Sequence, residues 1–383
     1  MKAASVIGGS NGIGLAIALE LQKRGGLVHV VDKERNPLFD GFSNIRFHQA
    51  NLLDTDYSFL DECHDIDTLV ITAGFGRIAP FDEILEPELR NCLTVNSVAV
   101  ISILHHFFPQ MKQREPFHCA VMGSIAGLVS SPLFATYSAS KAALCNVIES
   151  LNIELEMAGT DNRILNVSPG SIKGTRFNGG ENNLNETQAL AIDIIERMEH
   201  RHTLYIPNFE EVYQDVLDRY YQDPHQFGVD SYQYKLNSGR MSGKPQLKIG
   251  YLSGTFDLFH IGHLNLLRRA KQYCDYLVVG IHKDASHKGK ETFISYEERA
   301  EIVRNIKYVD KVIPSEKEDC DVYLKGIVKY DYLFVGSDYK GTERFNRYEQ
   351  IFADKGVEIV YFPYTQGTSS SQLRDALAAI NNK

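Results

Sequence analysis

The sequence predicts an α/β protein of two domains: an N-terminal one built on a doubly wound parallel sheet, and a smaller α/β domain after it. The chain has 383 residues, and one ordinary domain takes about 150. Short apolar runs alternate with helical stretches in two separate series, which is typical of βαβ units. Apolar residues make up 43% of the chain and charged residues 23%, as in globular proteins with buried cores.

The strands predicted from these apolar runs fall into two groups. The first group comprises residues 3–7, 27–31, 68–72, 119–122 and 164–167, and the second comprises residues 247–252, 276–281, 311–313, 332–335 and 357–362. Between them lies a helical, tyrosine-rich segment, 208–243, which ends in turn-forming residues. We therefore expect domains at 1–243 and 244–383.

Charge and cysteine content exclude several classes of protein. The net charge is −9, which argues against binding to nucleic acid or to acidic membranes. The six cysteines show neither a CxxC motif nor a paired zinc spacing, so we expect them to be reduced and mostly buried, and predict no metal held by protein ligands. The apolar runs are strand-length and no signal peptide is recognisable, so we expect a cytoplasmic protein.

The first predicted strand leads into a glycine-rich turn. Gly8, Gly12 and Gly14 are spaced G-x-x-x-G-x-G before a helix that begins near Ile13. Such a turn lets the backbone approach a pyrophosphate, and the free N–H groups at the helix start bind it. A plain tight turn is the alternative.

An acidic residue follows where a dinucleotide-binding fold needs one. The second strand is followed by Asp32, 18 residues after Gly14. A carboxylate there accepts from the 2'-hydroxyl of a ribose and favours NADH. Lys33 and Arg35 keep NADPH open, and a solvated Asp at the end of a strand is the simpler alternative.

A phenol and an ammonium group share one helix face further along the chain. Tyr137 and Lys141 are four residues apart, and Ser124 lies 13 residues before Tyr137. A neighbouring lysine lowers the pKa of a tyrosine toward neutrality, which suits it to protonate a carbonyl oxygen as hydride arrives. We therefore expect a group that protonates a carbonyl, with a commonplace surface Tyr–Lys pair as the alternative.

These residues resemble the short-chain dehydrogenase/reductase family over roughly residues 1–207. The resemblance implies a Rossmann fold and a nicotinamide cofactor. It implies Tyr137 as acid, Lys141 as ribose ligand, Ser124 as carbonyl-orienting group and Asn96 in a proton relay. The cofactor contacts it implies are Gly8, Ser10, Asn11, Gly12, Ile13, Gly14, Asp32, Asn51, Ala73, Gly74, Tyr137, Lys141, Pro169 and Gly170.

The chain departs from the family pattern at several places around this site. Ile7 replaces a threonine, Ile71 and Thr72 replace two asparagines, and Asn51 replaces an aspartate. Thr175 comes one position late after Pro169 and Gly170, so the loop over the substrate can differ in shape. The loop charges there, which can contact an anionic substrate or simply be solvated, are Arg77, Lys173 and Arg176.

A second site begins where the second series of strands begins. The sequence Gly-Thr-Phe-Asp-Leu-Phe-His-Ile-Gly-His ends in His260 and His263, in the first turn of a helix. Imidazole N–H donors at a helix N-terminus stabilise charge that develops on an attacked phosphate. A zinc pair and two structural histidines are the alternatives.

This stretch resembles the HxGH nucleotidyltransferases, and over residues 246–377 it resembles the glycerol-3-phosphate cytidylyltransferase type. The resemblance implies a Rossmann-like α/β fold, CTP as substrate, Mg²⁺ held mainly through the CTP phosphates, and pyrophosphate release. It implies His260, His263, Lys288 and Lys290 as catalytic residues. The CTP contacts it implies are Gly254, Thr255, Phe256, His260, His263, Lys290, Gly336, Asp338, Thr368, Ser369 and Ser370.

The acceptor side departs from that family. Tyr364 and Lys307 stand where the family has arginine, which weakens bidentate phosphate binding. Lys340 or Arg344 can hold the acceptor phosphate instead, or be solvated. The acceptor is therefore not fixed as glycerol 3-phosphate.

Together the two sites predict a bifunctional enzyme. It couples CTP to a ketose phosphate and reduces the ketone with NADH or NADPH, in either order, to give a CDP-alditol for surface polysaccharide. Fructose 6-phosphate is the first expectation for the ketose phosphate, and ribulose 5-phosphate is the second. One alternative is a glycerol-3-phosphate cytidylyltransferase fused to a reductase with an unconnected substrate. Another is a nucleotide-sensing protein with an inactive reductase half.

Partners and charge distribution complete these expectations. Both families imply a homo-oligomer, a dimer or tetramer, acting on small molecules without nucleic acid or membrane. Residues 1–243 carry a net charge of −11 and residues 244–383 carry +2. The half assigned to anionic substrates is therefore the more basic one.

Overall fold

The chain forms two compact units, residues 1–245 and 246–383. The computed structural model describes residues 2–54, 57–63, 65–178, 181–239, 241, 247–283, 292–363 and 372–373. Each unit has its own parallel sheet and its own apolar cores. The predicted fold class, two α/β domains on parallel sheets, is confirmed.

The first unit contains a seven-stranded sheet in the order β3-β2-β1-β4-β5-β6-β7, with every pair parallel. The order reverses between β1 and β4, which is where such sheets bind ligands at their carboxyl edge. The strands are β1 Ala3–Ile7, β2 Leu27–Asp32, β3 Ile45–Gln49, β4 Thr68–Ile71, β5 His118–Met122, β6 Ile164–Val167 and β7 Leu204–Tyr205.

Helices cover both faces of this sheet, because its strands are apolar on both sides. One face packs against α1 and α6, and the other against α4 and α5. The helices of the first unit are α1 Gly12–Lys23, α2 Phe59–Glu62, α3 Glu86–Leu93, α4 Ala99–Met111, α5 Ala135–Met157, α6 Leu184–Glu199, α7 Gln214–Gln222 and α8 Pro224–Asn237.

One helical stretch of the described residues, Glu86–Met111, is long and apolar enough by length and composition to cross a membrane. It comprises α3, a π-helical turn at Thr94–Val98, and α4. Half of its apolar window is buried, and Ile103 and Phe107 are fully buried in the core under the sheet. Packing in the core accounts for its apolar character.

The second unit contains a five-stranded parallel sheet in the order β10-β9-β8-β11-β12. Its order reverses between β8 and β11, so this sheet also has a switch point at its carboxyl edge. Its elements are β8 Ile249–Gly254, α9 Ile261–Tyr273, β9 Tyr276–Ile281, α10 Tyr296–Arg304, β10 Lys311–Pro314, α11 Asp319–Leu324, β11 Tyr332–Gly336, α12 Glu343–Phe352 and β12 Glu358–Phe362.

Candidate active sites

The glycine-rich turn after β1 is shaped by close neighbours. Gly8 has a φ of +83°, and a Cβ on it would lie 2.5 Å from the Ala73 backbone nitrogen. A Cβ on Gly14 would collide with the Gly8 carbonyl and the Thr72 hydroxyl. Both positions therefore require glycine, and α1 starts at the carboxyl edge of β1 as a dinucleotide-binding turn does.

The turn is fastened to the end of β2 by Asp32. The Ser10 amide donates to Asp32 Oδ2 at 3.0 Å, and the Lys33 amide donates to Asp32 Oδ1 at 2.7 Å. The Ser10 hydroxyl is buried and has no hydrogen-bond partner among the described residues. A buried hydroxyl in this turn suits a phosphate oxygen, so the residues fit a dinucleotide.

Asn182 covers the helix end of the same turn, and sequence reasoning missed it. Its side-chain oxygen accepts from the Gly12 amide at 3.0 Å, and its side-chain nitrogen donates to Asn11 Oδ1 at 2.9 Å. The Gly-Gly-Glu-Asn-Asn run at 179–183 gave a loop signal, but nothing in it pointed to the turn 170 residues earlier.

The expected adenine and nicotinamide contacts occupy turns after β3 and β4. Asn51 Oδ1 accepts from the Leu53 amide at 3.1 Å and so closes its own turn. A Cβ on Gly74 would lie 3.2 Å from Asn96 Oδ1 and 3.3 Å from Lys141 Nζ. Gly74 therefore lies directly beside Asn96 and Lys141, two of the expected catalytic residues.

The expected catalytic residues are buried together at the carboxyl edge of β5. Ser124, Tyr137 and Lys141 are exposed by only 7%, 8% and 2%. Tyr137 and Lys141 lie one turn apart on α5, with Lys141 Nζ 5.7 Å from the Tyr137 ring centroid. Ser124 hydrogen-bonds Tyr137 and lowers its pKa against the effect of burial. The predicted constellation is therefore assembled.

The electrostatics of this group differ from the sequence expectation. Burial raises the pKa of Tyr137 to about 12, where the sequence predicts a lowering by Lys141. Lys141 Nζ instead donates to the Met122 carbonyl at 2.7 Å, and burial lowers the pKa of this ammonium to about 8. The difference arises because both groups are removed from water.

Asn96 is held in a π-helical turn, which often marks functional positions. It is fully buried, and its amide nitrogen donates to the Phe75 carbonyl at 2.8 Å and to Ser140 Oγ at 3.0 Å. Its amide oxygen accepts from the Phe75 amide at 3.0 Å. Asn96 thus ties the loop after β4 to α5, next to Lys141.

The Pro169–Gly170 turn after β6 contacts Ser124 on one side and Tyr213 on the other. The Pro169 carbonyl accepts from Ile125 N at 3.0 Å and from Ser124 Oγ at 3.5 Å. The Tyr213 hydroxyl lies so close to Gly170 that a Cβ there would collide with it. Tyr213 belongs to the segment before α7, and no sequence pattern indicates that this tyrosine reaches the site.

The segment 208–239 also approaches the loop between Ser124 and Tyr137. A Cβ on Gly228 of α8 would lie 3.9 Å from Pro132 Cγ and 4.0 Å from Ser130 Oγ. Tyr220 packs edge-on against Phe227 at 5.5 Å and joins α7 to α8. The segment 208–239 therefore packs beside the expected catalytic residues of the first unit.

The loop charges near Tyr137 are not equivalent. Arg77 is buried and paired with Glu88, with Nε 2.6 Å from Oε1, so the solvated alternative is wrong for this residue. Arg176 is exposed and lies 3.8 Å from Glu34. The surroundings of Tyr137 are mainly aromatic, with Phe134 stacked on it at 4.2 Å and Phe177 at 5.3 Å.

In the second unit, His260 and His263 form the N-terminal cap of α9. His260 Nδ1 accepts from the Gly262 amide at 3.0 Å, and His263 Nδ1 accepts from the His260 amide at 3.4 Å. An imidazole that accepts at Nδ1 carries its proton at Nε2 when neutral. Both rings therefore hold an Nε2–H donor, and they stack at 4.0 Å; burial lowers the pKa of His260.

The turn before these histidines has an unusual backbone. Phe256 and Leu258 have φ of +54° and +50°, a region that costs L-residues energy and clusters at functional sites. A Cβ on Gly254 would lie 2.9 Å from the Phe256 ring. The Thr255 hydroxyl is buried without a partner among the described residues, as a ligand-binding group would be.

Two further residues hold this turn in place. Asp257 is buried and accepts from the Phe293 and Ile294 amides at 3.1 and 3.0 Å. Arg299 is fully buried on α10, and its guanidinium donates to four carbonyls, those of Thr255, His282, Lys283 and Ile294. Both residues lie in recognised sequence motifs, but only the fold shows what they bind.

The remaining expected CTP contacts are only partly described. Gly336 ends β11, and a Cβ on it would collide with the exposed Asp338 carboxylate. Arg344 lies 3.4 Å from Glu318 and donates to Tyr348 at 3.0 Å, so it is not a solvated cation. The expected residues that lie outside the described part of the chain are Lys288, Lys290, Tyr364, Thr368, Ser369 and Ser370.

Comparison with known proteins agrees with this division. The family model described as short chain dehydrogenase matches residues 2–186, and the model described as Cytidylyltransferase-like matches residues 251–376. A glycerol-3-phosphate cytidylyltransferase of Bacillus subtilis is 39% identical over 132 residues, which cover 33% of this chain and 95% of that protein.

Two further similarities concern one unit each. The bifunctional protein HldE of Nitratiruptor is 34% identical over 130 residues, covering 33% of this chain and 27% of that protein. A short-chain dehydrogenase structure from Streptomyces avermitilis is 21% identical with a TM-score of 0.51, covering 62% of this chain and 98% of that one. The latter likeness shows the fold.

The matched models coincide with the two sites just described, one per unit. The dehydrogenase domain supports a nicotinamide cofactor for the first. The chain therefore joins an N-terminal short-chain dehydrogenase domain to a C-terminal domain that belongs to the glycerol-3-phosphate cytidylyltransferase-like enzymes, and it is a bifunctional oxidoreductase and cytidylyltransferase.

Proposed function

We propose that the protein makes a CDP-alditol from CTP, a ketose phosphate and a reduced nicotinamide cofactor. The observation that carries this proposal is that one chain combines an assembled carbonyl-reductase group, Ser124, Tyr137 and Lys141, with a capped His260–His263 pair. Cytidylyl transfer needs a phosphate on the acceptor, and reduction needs a ketone. A ketose phosphate has both groups. Fructose 6-phosphate is the first candidate for this substrate, and ribulose 5-phosphate is the second.

In the reductase domain, the bound nicotinamide supplies the hydride. The Tyr137 hydroxyl donates its proton to the substrate carbonyl oxygen, and Ser124 Oγ orients that oxygen by a second hydrogen bond. Near Tyr137, Lys141 donates to the Met122 carbonyl and Asn96 donates to the Ser140 hydroxyl. Asp32 favours NADH, because a carboxylate repels a 2'-phosphate.

In the transferase domain, the acceptor phosphate attacks the α-phosphorus of CTP, and pyrophosphate leaves. The Nε2–H groups of His260 and His263 are positioned by the cap to donate to phosphate oxygens as charge develops on them. Lys288 and Lys290 are proposed to contact the leaving phosphates, and Thr368, Ser369 and Ser370 to contact CTP. Mg²⁺ enters with the CTP phosphates.

A second candidate is cytidylyl transfer to glycerol 3-phosphate with a reductase that serves a separate substrate. The 39% identity to a glycerol-3-phosphate cytidylyltransferase favours it. It predicts fast pyrophosphate release with glycerol 3-phosphate and slow release with every ketose phosphate. The first proposal predicts the reverse.

The test is mass spectrometry of products made from CTP, Mg²⁺, NADH or NADPH, and separate triose, pentulose and hexulose phosphates. We expect a CDP-alditol with one ketose phosphate. Tyr137→Phe should stop reduction and leave CMP transfer intact, whereas the matched control Tyr221→Phe, an exposed tyrosine on α7, should change neither. Absence of pyrophosphate release with all ketose phosphates would sink the proposal.

A further inference from the structure

Three metal-ligating side chains meet at the edge of the first sheet, away from the reductase group. His29 projects from β2, His48 from β3, and Cys63 follows α2. Their ligand atoms all lie within 4.8 Å of one another. His29 and Cys63 are buried, whereas His48 is 12% exposed at its side chain.

The two imidazoles face each other edge to edge. His29 Nδ1 lies 2.8 Å from His48 Nε2, the ring planes differ by 18°, and the centroids are 5.0 Å apart. The two in-plane nitrogen positions therefore point at one common site, where a single proton now joins them. A metal ion at that point would replace this shared proton.

Glu62 already occupies the position of a carboxylate that orients a ligating histidine. Its Oε2 lies 3.0 Å from His48 Nδ1, so Nδ1 carries the proton and Nε2 presents its lone pair to the cluster. His29 then donates from Nδ1, and on metal binding this proton moves to its own Nε2 without net loss. Cys63 binds as thiolate and releases one proton.

The dimensions suit zinc after a small adjustment. Zinc–nitrogen bonds of about 2.0 Å and zinc–sulfur bonds of about 2.3 Å place tetrahedral ligand atoms roughly 3.3 to 3.7 Å apart. The histidine nitrogens have to separate by about half an ångström from their hydrogen-bonded distance, and a ligand pair at the 4.8 Å limit of the cluster has to approach by about 1 Å. Arg46, paired in register with His29 on β3, is the nearby cation that opposes binding, and Glu62 offsets it.

We propose that His29, His48 and Cys63 form a binding site for a divalent transition metal, with Zn²⁺ as the expected ion and Glu62 as the carboxylate that orients His48. The site joins β2, β3 and α2. It lies on the strand that ends at Asp32, so an ion there would fix the edge of the sheet next to the proposed ribose contact. This inference is independent of the proposed substrates.

The experiment is a Co²⁺ titration of the full-length protein, followed by the thiolate-to-cobalt charge-transfer band. We expect one equivalent of Co²⁺ to produce this band and Zn²⁺ to abolish it. Cys63→Ser should lose the band, and the matched control Cys320→Ser, a buried cysteine in the other unit, should keep it. Any Co²⁺ bound by His260 and His263 would be held through nitrogen and would give no thiolate band.

A second variant guards against misfolding of Cys63→Ser. His48→Gln changes the most exposed of the three ligands and should weaken Co²⁺ binding at least tenfold, with the circular dichroism spectrum unchanged. The proposal is overturned if folded wild-type protein gives no thiolate band, or if the band persists in Cys63→Ser or is unweakened in folded His48→Gln.

Discussion

Lys141 is the residue whose burial has the clearest measurable consequence. It is 2% exposed, and it donates a hydrogen bond to the neutral Met122 carbonyl. Burial without a carboxylate destabilises the charged form, which is why its pKa falls from 10.5 to about 8. The Lys141 ammonium group therefore changes charge near physiological pH.

The pH dependence of stability follows from this shift. Below pH 8 Lys141 is charged in both states and its burial costs stability; between about pH 8 and 10.5 only the unfolded chain stays protonated, so stability rises with pH. Relative to Lys141→Met, the wild-type free energy of unfolding should therefore rise by up to about 1.4 kcal/mol per pH unit. Urea titrations of cofactor-free protein at pH 7, 8, 9 and 10 measure it.

Lys112 provides the control for that measurement. It is an exposed lysine at the end of α4, so Lys112→Met should show no comparable slope against pH. A flat difference between wild type and Lys141→Met over the same range would contradict the expectation.

His260 combines a structural and a chemical task in separate ring nitrogens. Its Nδ1 caps α9, and its Nε2 carries the proton of the neutral ring. Asparagine is among the best helix caps, so His260→Asn should keep the fold while removing the donor. We expect cytidylyl transfer to fall by about 10²- to 10³-fold with little change in melting temperature, and reduction to continue.

His225 is the matched control for this substitution. It is exposed in the first turn of α8, so His225→Asn should leave both activities unchanged. Unaltered pyrophosphate release by His260→Asn would show that the Nε2 donor has no part in transfer.

Single residues also show where the sequence was informative. Gly8, Gly12 and Gly14, and likewise Ser124, Tyr137 and Lys141, could be predicted as groups because the members of each group lie within 17 residues of one another in the chain. Asp257, Arg299, Asn182 and Tyr213 did not reveal their contacts. The contact between Asn182 and Gly12 spans 170 residues and that between Asp257 and Phe293 spans 36. Tyr213 and Arg299 contact residues on other segments, and sequence patterns do not show such contacts.

Among the elements, the strands that were missed are the weakly patterned ones. β3 is a half-buried edge strand with Arg46, His48 and Gln49 among its five residues, and β7 has two residues. The long buried strands were predicted because they are continuous apolar runs. The His29–His48–Cys63 cluster could not be predicted for a different reason. Its ligands come from three elements and do not have the spacing of a metal-binding motif.

The stability contributions of the segment 208–239, which contains Tyr213, α7 and α8, and of the Pro169–Gly170 turn should be coupled. Gly170→Ala introduces a methyl group where the Tyr213 hydroxyl lies, and we expect a cost of about 1 to 3 kcal/mol from overpacking, together with lower reductase activity. Tyr213→Ala in the same chain should recover most of that stability. A double-mutant cycle by chemical denaturation measures the coupling.

Gly41→Ala is the control for this cycle, because a Cβ on Gly41 would meet nothing within 4 Å. The effects of Gly41→Ala and Tyr213→Ala on stability should therefore be additive. Additive effects of Gly170→Ala and Tyr213→Ala would contradict the contact between the segment 208–239 and the turn.

For the whole molecule, the division into two units has a thermodynamic consequence. Each unit buries its own apolar clusters on its own sheet, so we expect two calorimetric transitions. NADH or NADPH should stabilise one unit and CTP with Mg²⁺ the other. Each ligand should raise the free energy of unfolding of its unit by about 2.7 kcal/mol at a ligand concentration of 100 times Kd. One transition that responds equally to both ligands would contradict independent units.

The π-helical turn at Thr94–Val98 makes the length of its helix as important as its composition. Such a turn contains one residue more than a regular helical turn, and each residue of a helix rotates the next by about 100°. Deleting any one residue between 94 and 98 would swing the Asn96 amide away from Phe75 and Ser140. The regular helical turn that results would keep α4 in phase with the core, so the loss falls on the Asn96 hydrogen bonds. Natural variants of this helix should therefore differ by substitution and keep a constant residue count.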